Sequence, residues 1–216
     1  MRLWDISPPV SAASPVYPGD APYARRWTAR LGVDGAPASV SAITLSPHVG
    51  AHADAPLHYD DAGAAVGALD LAPFLGRCRV VHAIGCGPLI GVEHLRHAAP
   101  DLPPRVLVRT CERAATAWRD DFAAFAPQAI DWLAARGVTL VGIDTPSVDP
   151  ASSTTLDSHH ALRRLDLRVL ENLRLDDVPE GDYELIALPL KLMDAEASPV
   201  RAVLREWRGS GKAAGQ

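Results

Sequence analysis

Three histidines and one aspartate fall within eleven positions of this chain, in the stretch His48-Val49-Gly50-Ala51-His52-Ala53-Asp54-Ala55-Pro56-Leu57-His58. Neutral imidazole and carboxylate are the ligands that zinc and manganese take when no thiolate is offered. A His-x-x-x-His pair alone is ordinary on protein surfaces. What sets this segment apart is the addition of Asp54 and His58 within one short, proline-bounded stretch. The spacing is not the His-Glu-x-x-His of helical zinc sites. Pro47, Gly50 and Pro56 argue against one continuous helix, so the backbone is expected to be extended or turning. Positions 48, 52, 54 and 58 share parity, and any strand portion presents them on one face. The small residues between them leave room for the backbone to curl round an ion.

A second group lies a hundred residues on. His159 and His160 precede Ala161-Leu162-Arg163-Arg164, and Glu171 sits inside the apolar run Val169-Leu170-Glu171-Asn172-Leu173. A carboxylate buried in such a run is costly unless it is paired or bound to a metal. His159, His160 and Glu171 are therefore candidates for further ligands. Four to six nitrogen and oxygen ligands suit one or two zinc or manganese ions, and Asp54 is the natural bridge between two. A bound ion lowers the pKa of its water to about 7. His58, beyond Pro56, is either a fifth ligand or a general acid/base, since an imidazole pKa of about 6.5 suits proton transfer. These parts amount to a hydrolase for an amide or ester carbonyl. Tyr17, on the loop Ser14–Asp20 with its Pro18-Gly19 turn, is either a rim aromatic or a wall for an aromatic ligand.

The elements that must position these groups read as an α/β chain. Leu3–Ile6 is a short strand. The pattern from Arg26 to Leu45 is strand-like, and Ser39–Leu45 alternates polar and apolar residues before running into the histidine segment. Arg79–Ile84, Val106–Thr110 and Val138–Asp144 are strands, the last nearly all apolar and so buried on both faces. Gly91–Ala99 reads as a short helix and Pro127–Arg136 as a longer one, with proline near its start and Gly137 as its stop. Asp157 or Ser158 is placed to cap a helix that carries the His pair. Tyr183–Leu190 and Val200–Leu204 read as two strands joined by an acidic loop. The alternation implies a mixed central sheet with helices packed on it.

Composition narrows the function further. The chain has 216 residues, 48% of them apolar, and a net charge of −5. That length can bury the core of one fairly large domain. We expect a single domain over residues 1–208 and a disordered tail of small residues over 209–216. No basic block is present, which argues against nucleic acid and against an anionic membrane surface as partners. No apolar run reaches signal-peptide or membrane-span length. Cys78, Cys86 and Cys111 contain no Cys-x-x-Cys pair and are expected to be free thiols in a reducing cytoplasm.

The whole pattern resembles a known family. His48-x-Gly-x-His52-x-Asp54-x-Pro56-x-His58 is similar to the signature of the cyclase-like metal-dependent hydrolases. Leu3–Ser7, Val16–Asp20, Gly142–Ser147, Asp157–His160 and Asp182–Leu190 match the same family in collinear order from Leu3 to Arg205. Within that family the resemblance is to the bacterial arylformamidases. It implies a swivelling β/β/α (cyclase-like) fold, two Zn2+ per subunit with Mn2+ as the alternative, a homodimer, and hydrolysis of N-formyl-L-kynurenine to L-kynurenine and formate in tryptophan degradation. By the same resemblance His48, His52 and Asp54 hold one ion, Asp54, His159 and Glu171 hold the other, and His58 donates and accepts the proton. The resemblance selects His159 over His160. Two positions depart from the family pattern: Tyr17 stands where a tryptophan is usual beside the substrate ring, and Ala51 replaces the signature threonine, with loss of a hydroxyl expected near the ions. The same fold acting on another aryl amide or an isatin-like cyclic imide is the alternative reading.

Overall fold

The computed structural model describes residues 2–207; the tail expected over 209–216 lies outside them. In chain order the strands are β1 (Leu3–Asp5), β2 (Ala24–Ala29), β3 (Val40–Thr44), β4 (His52–Asp54), β5 (Leu75–His82), β6 (Leu89–Ile90), β7 (Arg105–Arg109), β8 (Ala124–Phe125), β9 (Leu140–Ile143), β10 (Arg168–Glu171), β11 (Gly181–Ile186), β12 (Ala197–Pro199) and β13 (Val203–Glu206). Two α-helices accompany them, α1 (Pro127–Ala134) and α2 (Asp157–Arg164). Nine strands form one mixed sheet in the order β1-β13-β11-β5-β7-β9-β10-β4-β12. Its centre, β5-β7-β9-β10, is parallel, and its flanks are antiparallel. α1 connects β7 to β9 and α2 connects β9 to β10, as parallel neighbours require.

Both faces of the central strands are buried, which explains their continuous apolar runs. Val106 and Val108 of β7, with Val141 and Ile143 of β9, pack against Ile130, Leu133 and Leu162 of the helices. Leu107 and Leu140 point the other way, into a second cluster. That cluster joins Ala51 and Ala53 at one end of the sheet to Leu185 and Leu204 near the other, so the sheet curls around it. The curl is tight: a Cβ on Gly142 would lie 2.5 Å from a Leu107 methyl. This mixed, curled sheet with short helices is the kind of architecture that the resemblance implied.

Several expectations need correction. Gly91–Ala99 is not an α-helix but two consecutive 3-10 turns, Val92–His94 and Arg96–Ala98. Only Leu95 and Ala98 of this stretch pack fully into the core, too narrow a stripe to hold a longer helix. The region from Arg26 to Leu45 is a hairpin, β2–β3, that pairs only with itself. Its alternation does not face the core, and Val40 and Ile43 are more than half exposed. Within the acidic connection after β11 the three-residue edge strand β12 pairs with β4. Its mere three residues left no periodicity to read.

Candidate metal centre

The ligand face is built by strand register. In the antiparallel pair β10–β4, Glu171 lies directly opposite His52 and Val169 opposite Asp54. Opposite residues of antiparallel strands share a face, so Glu171 joins His52, and Asp54 follows two residues on. Ala53 points to the apolar cluster behind. Ala51 does the same, at 3% exposure. Position 51, where the loss of the signature hydroxyl was expected to matter, therefore faces the apolar cluster and not the carboxylates of Asp54 and Glu171. Gly50 forms the turn before β4 with φ +75°, and a Cβ there would meet Val10 at 2.7 Å. That turn carries His48 back over Asp54, with His48 Nδ1 3.1 Å from Asp54 Oδ1.

The remaining ligand candidate arrives on α2. His159 points inward with 1% exposure, and its Nε2 lies 3.4 Å from Asp54 Oδ2 and 3.6 Å from Glu171 Oε1. His160, one residue on, is exposed. A helix turns about 100° per residue, so adjacent histidines cannot both face the site. Leu156, just before α2, adopts φ +50°, a conformation that a branched side chain enters only when its surroundings enforce it. The cap expected from Asp157 or Ser158 comes instead from Asp149, whose carboxylate accepts the amides of Ser158 at 2.8 Å and His159 at 3.0 Å. The same carboxylate takes His159 Nδ1 at 2.7 Å. Asp149 sits eight residues before the helix, so no local capping signal announced it.

The five residues converge. Ligand atoms of His52, Asp54 and Glu171 lie within 4.8 Å of one another, as do those of His48, Asp54 and His58. Among the described residues His52 Nε2 and Asp54 Oδ1 are buried without any hydrogen-bond partner. Such orphans cost about 1–3 kcal/mol each, and two of them in one site are what a cation would satisfy. The protonation balance agrees. Burial opposes charge on His48, but the close Asp54 carboxylate, with Glu171 and Glu196, outweighs it and pushes its pKa up to about 9. Burial likewise opposes charge on His159, and Asp149, Asp54 and Glu171 overcome it to reach about 10. Asp54 is held well below its ordinary value by His52, His159 and His48 against complete burial. The cluster thus draws positive charge, and divalent ions compete with protons for it. The residues present fit a metal centre.

His58 closes the 3-10 turn Pro56–His58. Its ring centroid is 4.4 Å from that of His48 and 5.5 Å from that of His159. Burial lowers its pKa, helped by the nearby His48 and His159, while Asp54 opposes. Tyr59, which the sequence did not single out, packs its ring 5.1 Å from that of His159. Tyr17 is 46% exposed and stands edge-on to Trp118 at 5.0 Å. Trp118 and Phe122 line a cavity of about 740 Å³ that also reaches Gly50 and Asn172, neighbours in sequence of His52 and Glu171. The site residues themselves are not in its wall.

Comparison with known proteins places the chain in a family. The Cyclase family model, described as "Putative cyclase", matches residues 4–150. A protein of Bordetella pertussis named kynurenine formamidase is 73% identical over 95% of this chain and 98% of its own length. A solved structure described as a potential metal-dependent hydrolase with cyclase activity superposes with a TM-score of 0.81 at 29% identity, over 95% of this chain and 98% of that one. An isatin hydrolase bound to the product analogue thioisatinate shares the fold, with a TM-score of 0.78 at 20% identity over 94% of this chain and 91% of its own. On its motif, its fold and its relatives, this chain belongs to the Cyclase family.

Proposed function

We propose that the protein is a metal-dependent arylformamidase, hydrolysing N-formyl-L-kynurenine to L-kynurenine and formate in tryptophan breakdown. The observation that carries the reading is the convergence of His48, His52, His159 and Glu171 on the buried carboxylate of Asp54, with two polar atoms there left unpartnered. The substrate is taken from the relatives that share the name and nearly the whole sequence. In this reading His48, His52 and Asp54 hold one zinc ion, and Asp54, His159 and Glu171 hold a second; manganese suits the same ligands. Such ions supply Lewis acidity that makes water nucleophilic near neutral pH and polarises a carbonyl.

The chain's own groups do the rest. Asp54, fully buried and ionised, anchors both halves of the centre. His58, with its pKa lowered, is neutral at physiological pH and free to accept a proton from water. It then returns that proton to the departing aniline nitrogen, so the formamide C–N bond breaks with formate and an amine as products. Tyr17, braced by Trp118, offers an aromatic face to the substrate ring. The protein is further proposed to act as a cytoplasmic homodimer. Its cysteines are all free, and no described helix is long and apolar enough to cross a membrane. The β2–β3 hairpin exposes Trp27, Val40 and Ile43 as an apolar surface that a second copy would cover.

The test is formate release from N-formyl-L-kynurenine by purified protein. Turnover should vanish on chelation and return with zinc. A metal-loaded protein that leaves N-formyl-L-kynurenine intact but opens isatin would replace this substrate with an isatin-like cyclic amide.

A further inference from the structure

Each of the three inner histidines shows one ring nitrogen to the central carboxylates and the other outward. His52 turns Nε2 inward, and its Nδ1 lies 2.9 Å from the carbonyl of Gly50. His159 also turns Nε2 inward, and its Nδ1 meets Asp149 at 2.7 Å. His48 is reversed: Nδ1 faces Asp54 at 3.1 Å and Nε2 faces Glu196 Oε1 at 3.4 Å. A metal-ligating imidazole keeps its orientation and tautomer through the acceptor on its outer nitrogen. Two of these acceptors are a backbone carbonyl and a buried carboxylate. At the third position Glu196 approaches as an ion pair at 3.4 Å, a longer contact than the other two.

His48 is the ligand most in need of such an acceptor. His52 lies on β4 and His159 on α2, whereas His48 lies in the turn before β4. Its side chain is 18% exposed, against 1% and 2% for the other two. Glu196, by contrast, has a fixed backbone. Its carbonyl accepts the amide of Ala55 at 2.8 Å, and the next residue, Ala197, is paired with Asp54 in the β12–β4 ladder. The edge strand thus delivers a carboxylate to the one histidine whose own backbone is not in a strand or helix.

We infer that Glu196 is the positioning residue of His48: it accepts the outer N–H, holds the ring with Nδ1 toward Asp54, and so does for the His48 half of the centre what Asp149 does for the His159 half. The inference rests on the reading that His48 is a metal ligand, and it assigns Glu196 no contact with substrate.

The experiment is a zinc titration of the full-length protein against a chromophoric chelator, for the parent, E196A and E196Q. E196A is expected to weaken one zinc ion by about 10- to 100-fold, the range found for lost outer partners of metal ligands, and to leave the other unchanged. E196Q should recover part of that loss, because its amide oxygen still accepts the imidazole N–H. Melting of the metal-free proteins should be alike. Equal affinities in parent and E196A overturn the inference. So does a loss as large in E196Q as in E196A, which would be charge alone, and so does loss of both ions with a lowered melting point, which would be damage to β12. The titration needs no substrate. If the parent binds zinc but releases no formate, the proposed reaction fails while the role of Glu196 stands or falls by these affinities.

Discussion

Asp149 and His159 are joined by two contacts, the carboxylate taking the imidazole Nδ1 at 2.7 Å and the His159 amide at 3.0 Å, and the same carboxylate takes the neighbouring Ser158 amide at 2.8 Å. One side chain therefore caps α2 and sets the tautomer of the histidine that the helix carries. Removing it disturbs stability and site together. Asp149→Ala should cost about 1 kcal/mol or more as a lost cap, lowering Tm by roughly 2–4 °C per kcal/mol for a chain of this size. It should also weaken zinc at the His159 position. Calorimetry and zinc titration of the same sample check both. A variant that melts lower but binds zinc as the parent does would confine Asp149 to the capping role.

His58→Ala separates proton transfer from metal binding. Turnover should fall by about 10²–10⁴-fold, the usual contribution of a positioned acid/base, while metal content per chain stays that of the parent. Loss of metal together with activity would make His58 a ligand instead.

The rate should also depend on pH through His58. Burial lowers its pKa below the ordinary imidazole value, and the neighbouring His48 and His159 push in the same direction. Nearby divalent ions would lower it further. The neutral, proton-accepting form thus persists into mildly acidic solution. The acid limb of kcat, measured with metal saturating, should have its midpoint below about 6.5. A midpoint above that value would take the role of base away from His58.

The metal-free protein should behave in the opposite sense. His48 and His159 have pKa values raised to about 9 and about 10. Folded-state values above the unfolded one mean stability that is fully present below about pH 6.5 and lost as pH rises through those values. The Tm of chelator-treated protein should fall between about pH 6.5 and pH 10. Zinc displaces those protons, so its apparent affinity should rise over the same range and should flatten the melting curve against pH. A metal-free Tm that rises with pH over this window would contradict the charge balance drawn here.

Gly142→Ala tests the curl of the sheet. The new methyl would lie 2.5 Å from Leu107 and 2.9 Å from Leu173, and overpacking of this kind costs about 1–3 kcal/mol. Glu171 lies at the end of the neighbouring strand β10, so some loss of zinc affinity should accompany the drop in Tm.

Much of the centre was legible before any fold was known. His48, His52 and Asp54 lie within seven residues, and their parity and bracketing prolines and glycine already implied one face and one turn. The buried runs of β7 and β9 announced a sheet covered on both sides, because apolar side chains leave water wherever their position in the chain. Three things have their physical cause only in tertiary structure. His159 rather than His160 faces the Asp54 and Glu171 carboxylates because the rotation of α2 is set by packing against the sheet and by a cap from Asp149, well outside the helix. Ala51 turns away from the carboxylate cluster because β4 alternates, which only pairing with β10 and β12 imposes on so short a segment. Glu196 meets His48 because β12 docks on the edge of β4 across more than a hundred residues. Ligand type is a property of each side chain and is carried by local sequence. Which nitrogen is held, and by whom, depends on backbone register and helix rotation, which the packed chain as a whole determines.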